Sequence, residues 1–227
     1  MAKTTQDEKH PRPHVTVDIV PLVIHDERLC VLLAARDKEP YAGRLALLGG
    51  YVHVQEDATA GAAARRVLRD KAGITQLYVE QLSTFSGPDR DPRGWSLSIA
   101  YFSLSPYDRV AGAVERGAVQ LVAVEDAGDL PFDHDAIVAA AVERMRGKGA
   151  YSDLPARLLG DDFTMRELQH AYQIAMGETV NEDGFRKKIL QHGFIEPTGG
   201  KRHDPGAKKP GQLYRLKPGY AVFDRRI

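Results

Sequence analysis

Residues 50–74 read GYVHVQEDATAGAAARRVLRDKAGI, and the reading of this stretch decides the fold. A short apolar run at 45–48 leads into Gly49-Gly50, a dipeptide that reads as a tight turn. Glu56 follows Gly50 after five intervening residues. Residues 59–71 then read as an Ala/Arg/Leu helix, closed by Gly73 as a C-terminal glycine cap. A glycine pair, an acid and an arginine-bearing helix in this order are more specific than a glycine turn alone.

Around this stretch, strand signals interleave with helix signals. Residues 15–24 are rich in β-branched side chains, with Pro21 marking an edge or a bulge. Residues 25–28 read as a turn and 29–35 as a returning strand. Further strands are expected at 76–84, 96–104 and 119–124, and an alanine-rich helix at 132–146 with Asp133 as its N-cap. His134, at that helix start, reads as a structural or interdomain histidine rather than a catalytic one.

The composition changes at 147–149. A short apolar segment at 154–159 precedes FTMRELQHAYQIAMG, where Thr164 with Glu167 forms a capping-box signature. Leu168, Tyr172, Ile174 and Ala175 supply the apolar face of this helix, and Gly177 stops it. Asn181 opens a second helix that is expected to bury Phe185, Ile189 and Leu190 and to present Arg186, Lys187 and Lys188. Short strands at 194–197 and 213–216 flank the loop TGGKRHDPGAKKPGQ. Helix, turn, helix and basic hairpin in this order describe a winged helix.

Overall charge excludes a molecule drawn bodily to nucleic acid or membrane, because 31 basic residues balance 31 acidic ones. The distribution is uneven: from Glu182 to Lys217 nine cations face four carboxylates. One cysteine, Cys30, permits no internal disulfide and points to a reducing, cytoplasmic setting. The first 14 residues lack the apolar core of a signal peptide, and no segment approaches a membrane span. The expected division is a disordered arm at 1–14, an α/β domain at 15–148 and a DNA-binding domain at 149–227. The DNA-facing set is Thr164, Arg186, Lys187, Lys188, Lys201, Arg202, Lys208 and Lys209, although a run such as Arg186–Lys188 is also the ordinary composition of a solvated helix face.

The stretch at 50–74 resembles the Nudix box, G-x5-E-x7-R-E-U-x-E-E-x-G-U, with U aliphatic. Aligned on Arg66, Leu68, Gly73 and Ile74, the resemblance puts Val67, Asp70 and Lys71 where that family carries three helix glutamates, with two extra residues between Glu56 and Arg66. Carboxylates at i, i+3 and i+4 share one helix face and can hold a hard divalent cation. An aliphatic and a cationic side chain in that set leave only Glu56 and Asp70, enough for weak Mg²⁺ at most. The expected site is therefore a binding pocket, with no catalytic residues and no resident metal, drawn from Arg36, Arg44, Gly49, Gly50, Glu56, Arg66 and Asp70. Arg66 either orients Glu56, meets a diphosphate or makes an ordinary salt bridge. The charged loop at 89–93 either gates the pocket or is solvated, and Phe85 and Tyr101 either stack on a base or pack in the core.

Taken together, LGGYV at 48–52, DRDPR at 89–93, FDH at 132–134, FTMRELQHAY at 163–172, FRKKIL at 185–190 and LYRL at 213–216 resemble the Nudix-related transcriptional regulators of NAD metabolism, the NrtR family. Leu48 departs from that family, in which proline usually precedes the glycine pair. The resemblance implies a Nudix-like α/β/α sandwich with a C-terminal winged helix-turn-helix domain. It also implies a homodimeric repressor of NAD biosynthesis or salvage genes, bound to double-stranded operator DNA and released by a nucleotide effector such as ADP-ribose. An active ADP-ribose pyrophosphatase and a related repressor of sugar catabolism are the alternatives.

Overall fold

The computed structural model describes residues 12–75, 77–204, 206, 208–224, 226 and 227. The expected arm falls outside the described residues for 1–11, and His14 already belongs to the first strand. That strand, β1 (His14–His25), runs through a seven-stranded sheet. On one side it pairs in parallel with β6 (Ser96–Leu104), which in turn carries β5 (Tyr78–Gly87) antiparallel. On the other side it meets two shorter partners end to end. These are β4 (Leu48–Tyr51), against residues 16–19, and β2 (Arg28–Ala35), against residues 22–25. Strands β3 (Leu45–Ala46) and β7 (Gln120–Ala123) pair with β2.

Pro21 therefore lies in a central strand, not at an edge. The Leu22 carbonyl accepts from the Ser105 N–H on the β6 side, so the backbone of Pro21 faces the opposite way. There it meets the gap between Ile19, the last residue paired with β4, and Leu22, the first paired with β2. A ring nitrogen without a hydrogen costs no ladder bond in that gap. The glycine pair is likewise strand rather than turn, with Gly49 opposite Asp18 and Gly50 opposite Val17. Its glycines serve close approach: a Cβ at Gly49 would sit 2.0 Å from Asp18 Oδ1, and one at Gly50 3.2 Å from Val67.

The period of two along the strands divides the core. Val17, Ile19 and Val23 of β1, with Cys30 and Leu32 of β2, face α1 (Ala60–Ala72) and α2 (Asp108–Glu115), a helix the sequence reading did not anticipate. Val20, Leu22, Val31 and Leu33 face the opposite layer, built on α3 (His134–Gly149). Thr59 caps α1 by accepting from the Ala62 N–H, and Gly73 ends it at φ 66°. Asp133 precedes α3 but makes no cap bond, because its carboxylate is engaged elsewhere. Phe85 and Tyr101 both join the core.

Beyond a 3-10 turn at Leu154–Leu158 come β8 (Phe163–Thr164), α4 (Met165–Met176), α5 (Glu182–His192), β9 (Ile195–Arg202) and β10 (Gly211–Leu216), with sheet order β8-β10-β9. The capping box at Thr164 and Glu167 is complete. Leu168, Tyr172, Phe185 and Ile189 form the core of this part. Leu190 does not join them: it is 47% exposed, turned about 100° from Ile189 around the helix. Ile174 and Ala175 pack in a different cluster from Leu168 and Tyr172, with Leu154 and Leu158 against Ile137 and Met145 of α3. The α3 layer and the winged-helix part thus share a hydrophobic seam.

Candidate functional site

A cavity of about 330 Å³ opens between the β1/β4 end of the sheet, α1, the loop at 89–93 and the start of α3. Its volume is within the range of small-molecule sites. Of the expected pocket residues, Arg36, Gly49, Gly50, Arg66 and Asp70 line it, joined by Val67 and Lys71. Arg44 and Glu56 are not among the lining residues. Arg44 pairs instead with Asp129 at 2.9 Å, and exposed Glu56 pairs with His53 at 3.1 Å. Arg66 does not orient Glu56. It makes a two-pronged bond to Asp57, at 2.9 and 2.7 Å, and a third to the Tyr51 carbonyl at 2.9 Å. This fork lowers the Asp57 pKa to about 2.

The charged loop turns inward, so its residues are part of the wall. Arg90, only 7% exposed at its side chain, bonds Asp133 at 2.9 and 2.7 Å and Ser96 at 3.1 Å, and lies 3.5 Å from Asp18. Asp91 binds the neighbouring Arg93 in the same forked way, at 2.9 and 2.7 Å. His134 Nδ1 accepts from the Leu47 N–H at 3.0 Å, which assigns the ring proton to Nε2, 3.6 Å from Asp18 Oδ1. Burial works against ionisation of Asp18, but His134, Ser98 and Arg90 outweigh it and hold the pKa below the usual carboxylate value. His134 thus ties the β3–β4 connection to α3 while lining the cavity.

Phe132, at φ 60°, offers its ring to Arg36 at 4.7 Å and to Arg93 at 5.8 Å. On α1, Lys71 faces the cavity one turn beyond Val67. Burial pushes its pKa down, with Asp37 opposing and Arg36 reinforcing the shift. Asp70 bonds Arg69 at 2.9 Å. Among the described residues no three His, Cys, Asp or Glu side chains gather so as to hold a metal ion. The site that emerges is a pocket with cationic side chains on its floor and rim.

Sequence reading missed Asp18, Lys71 as a lining cation, Arg90, Phe132 and Asp133 as parts of this wall. Asp18 carried a usable signal, as the one charged residue in VTVDIVPLVI.

In the C-terminal part, Arg186 and Lys187 are exposed on α5 and line a groove shared with α4 and β10. Lys188 points elsewhere, donating to the Arg226 carbonyl at 3.1 Å. Lys201 and Arg202 lie in β9 rather than in the connecting loop, and Arg202 is paired with Glu167. Lys208 and Lys209 are exposed in that loop. Thr164 is 1% exposed, and its hydroxyl donates to Asp204 at 2.9 Å while accepting from the Glu167 N–H. It builds the start of α4 and offers no surface to DNA. No helix among the described residues is long and apolar enough to cross a membrane.

Residues 155–216 match the family model of the NrtR DNA-binding winged helix domain. The "ADPR responsive transcriptional repressor NtrR" of Acinetobacter baylyi is 33% identical over 214 residues, covering 93% of this chain and 85% of that one. The crystal structure of Shewanella oneidensis NrtR complexed with a 27mer DNA superposes with a TM-score of 0.88 at 32% identity, over 94% of this chain and 99% of that chain. The NUDIX domain of the same protein, complexed with ADP ribose, matches 63% of this chain and 99% of its own length at 29% identity and a TM-score of 0.54. An ADP-ribose pyrophosphatase of Methanocaldococcus jannaschii is 29% identical over 55% of this chain and 72% of its own. With a third of its positions shared with a repressor across most of both sequences, the chain belongs to the NrtR family.

Proposed function

We propose that this chain is a transcriptional repressor of NAD biosynthesis or salvage genes, acting in the cytoplasm. ADP-ribose, or a kindred NAD-derived nucleotide, occupies the cavity and releases operator DNA. The observation that carries this reading is the match, along both parts of the chain, to a protein crystallised on DNA. Arg186 and Lys187 on α5 enter the groove of the duplex, while Lys201, Lys208 and Lys209 meet its phosphates. Two copies related by a two-fold axis meet a pseudopalindromic operator.

The two parts are coupled through α3. Its first turn holds Asp133 and His134 at the cavity, and its far end packs Met145 with Leu154, Leu158 and Ala175. A ligand that prefers one setting of α3 weakens DNA binding by the difference in its affinity for the two settings. Such couplings amount to about 1–3 kcal/mol, or roughly 5- to 150-fold.

The cavity acts as a sensor and not as a hydrolase, since Val67 and Lys71 occupy the helix face that a metal cage would need and Glu56 lies off the cavity. Fluorescence anisotropy on the protein's own upstream DNA, with and without ADP-ribose, tests the reading. The expected result is specific binding that the nucleotide weakens. Indifference to duplex DNA, or release of AMP from ADP-ribose and Mg²⁺ at about 1 per second or faster, overturns it.

A further inference from the structure

We propose that the cavity binds the diphosphate of its nucleotide without any divalent cation, the Lys71 ammonium standing in the metal's place. This inference rests on the nucleotide-sensing role proposed above and concerns how the charge of the ligand is met.

Three of the four carboxylates that line the cavity are already spoken for, and the fourth, Asp37, is exposed. Asp18 is shared between His134 and Arg90, Asp91 is forked by Arg93, and Asp70 is bonded to Arg69. A magnesium ion keeps near-octahedral oxygen coordination and is bound through carboxylates together with phosphate oxygens. To gather more than the single carboxylate of Asp37 here it would have to break one of these bonds and tolerate an ammonium beside it. Three of the four acids thus hold the wall together, and the one exposed carboxylate left does not form a cage.

The cations divide differently. Arg66, Arg90 and Arg93 are saturated by the carboxylates they grip. Lys71 lines the same cavity, and among the described residues no hydrogen bond or ion pair engages its ammonium. Arg36 lines it too, its guanidinium over the Phe132 ring and bonded to the carbonyls of Pro40 and Lys38. A partly desolvated ammonium that no carboxylate bonds is unfavourable, Asp37 acting on it only through space, and a diphosphate supplies the contacting anion. The geometry therefore gives Lys71 the work of neutralising the ligand, with Arg36 beside it.

Isothermal titration of ADP-ribose into the full-length protein, once in MgCl₂ and once in EDTA, tests this without any variant. The two dissociation constants should agree to about twofold, a difference well below the tenfold step of 1.4 kcal/mol. Lys71→Met should weaken binding by about 10-fold or more in both buffers, as loss of a charged hydrogen-bond donor requires. Lys71→Arg, which keeps the charge, should retain most of the affinity. Binding that requires Mg²⁺ overturns this inference and leaves the sensor reading standing. Wild-type affinity in a folded Lys71→Met protein does the same. Absence of binding in both buffers overturns both.

Discussion

Arg90 is the side chain on which the cavity wall should depend most, and its removal can be worked through from the structure. Its guanidinium is 7% exposed and joins two elements far apart in sequence: Asp133 at the start of α3, and Asp18 in the middle of β1. Arg90→Leu keeps much of the aliphatic volume but leaves Asp18 and Asp133, 9% and 23% exposed at their side chains, without their cation. Breaking a buried ion pair from one side costs about 3–5 kcal/mol, because the remaining charge is left uncompensated. For a domain of this size each kcal/mol lowers Tm by about 2–4 °C, so the melting point should fall by roughly 6–20 °C. Thermal melts followed by circular dichroism measure the shift. Arg90→Leu combined with Asp133→Leu should recover part of the loss, with a coupling of about 1 kcal/mol or more. A single variant melting within about 3 °C of the wild type would show that the network is decorative, and that the wall is held by packing alone.

Other perturbations probe separate parts of the argument. Charge reversal at Arg186 and Lys187 together should abolish operator binding in anisotropy; retention of specific binding would remove α5 as the reading helix. Lys208→Ala or Lys209→Ala should weaken binding evenly across DNA sequences and lower the salt slope by about 0.9 each, and an unchanged slope would mean no phosphate contact. Gly49→Ala places a Cβ 2.0 Å from Asp18 Oδ1, and the overlap should lower stability by about 1–3 kcal/mol in denaturant melts. Asp57, with a folded pKa of about 2 against about 3.9 unfolded, adds stability that is present above pH 3.9 or so and lost as pH falls through about 2. Asp57→Asn should therefore flatten the Tm decline between about pH 4 and about pH 2, and an unaltered acid limb would show that Arg66 holds nothing together there.

What could be read in the sequence follows the range of the interaction that sets it. Capping and periodicity act within a few residues, and there the expectations hold: Thr59 and Gly73 bound α1, Thr164 and Glu167 close a capping box, and Asn181 caps α5. The glycine pair misled because a strand glycine and a turn glycine look alike in a string. Only the carboxylate of Asp18, arriving from β1, shows why no side chain fits at Gly49. Arg44 and Glu56, both expected in the pocket, are not among its lining residues: Arg44 pairs with Asp129, and Glu56, expected from the box pattern, pairs with His53. Conversely Arg90 and Asp133, 43 residues apart, meet only because β6 and α3 enclose the same end of the sheet. Asp133 looks like a cap by position and is not one, because a buried guanidinium competes for the same oxygens and forms the stronger bond. The pairing of charges thus decides which residues line the cavity, and charge type alone says little about the partner. Lys71 shows the consequence: its position on α1 follows from helix periodicity, but that no carboxylate bonds its ammonium emerges only once Asp18, Asp70 and Asp91 have been matched to arginines, with Asp37 left to act on it through space.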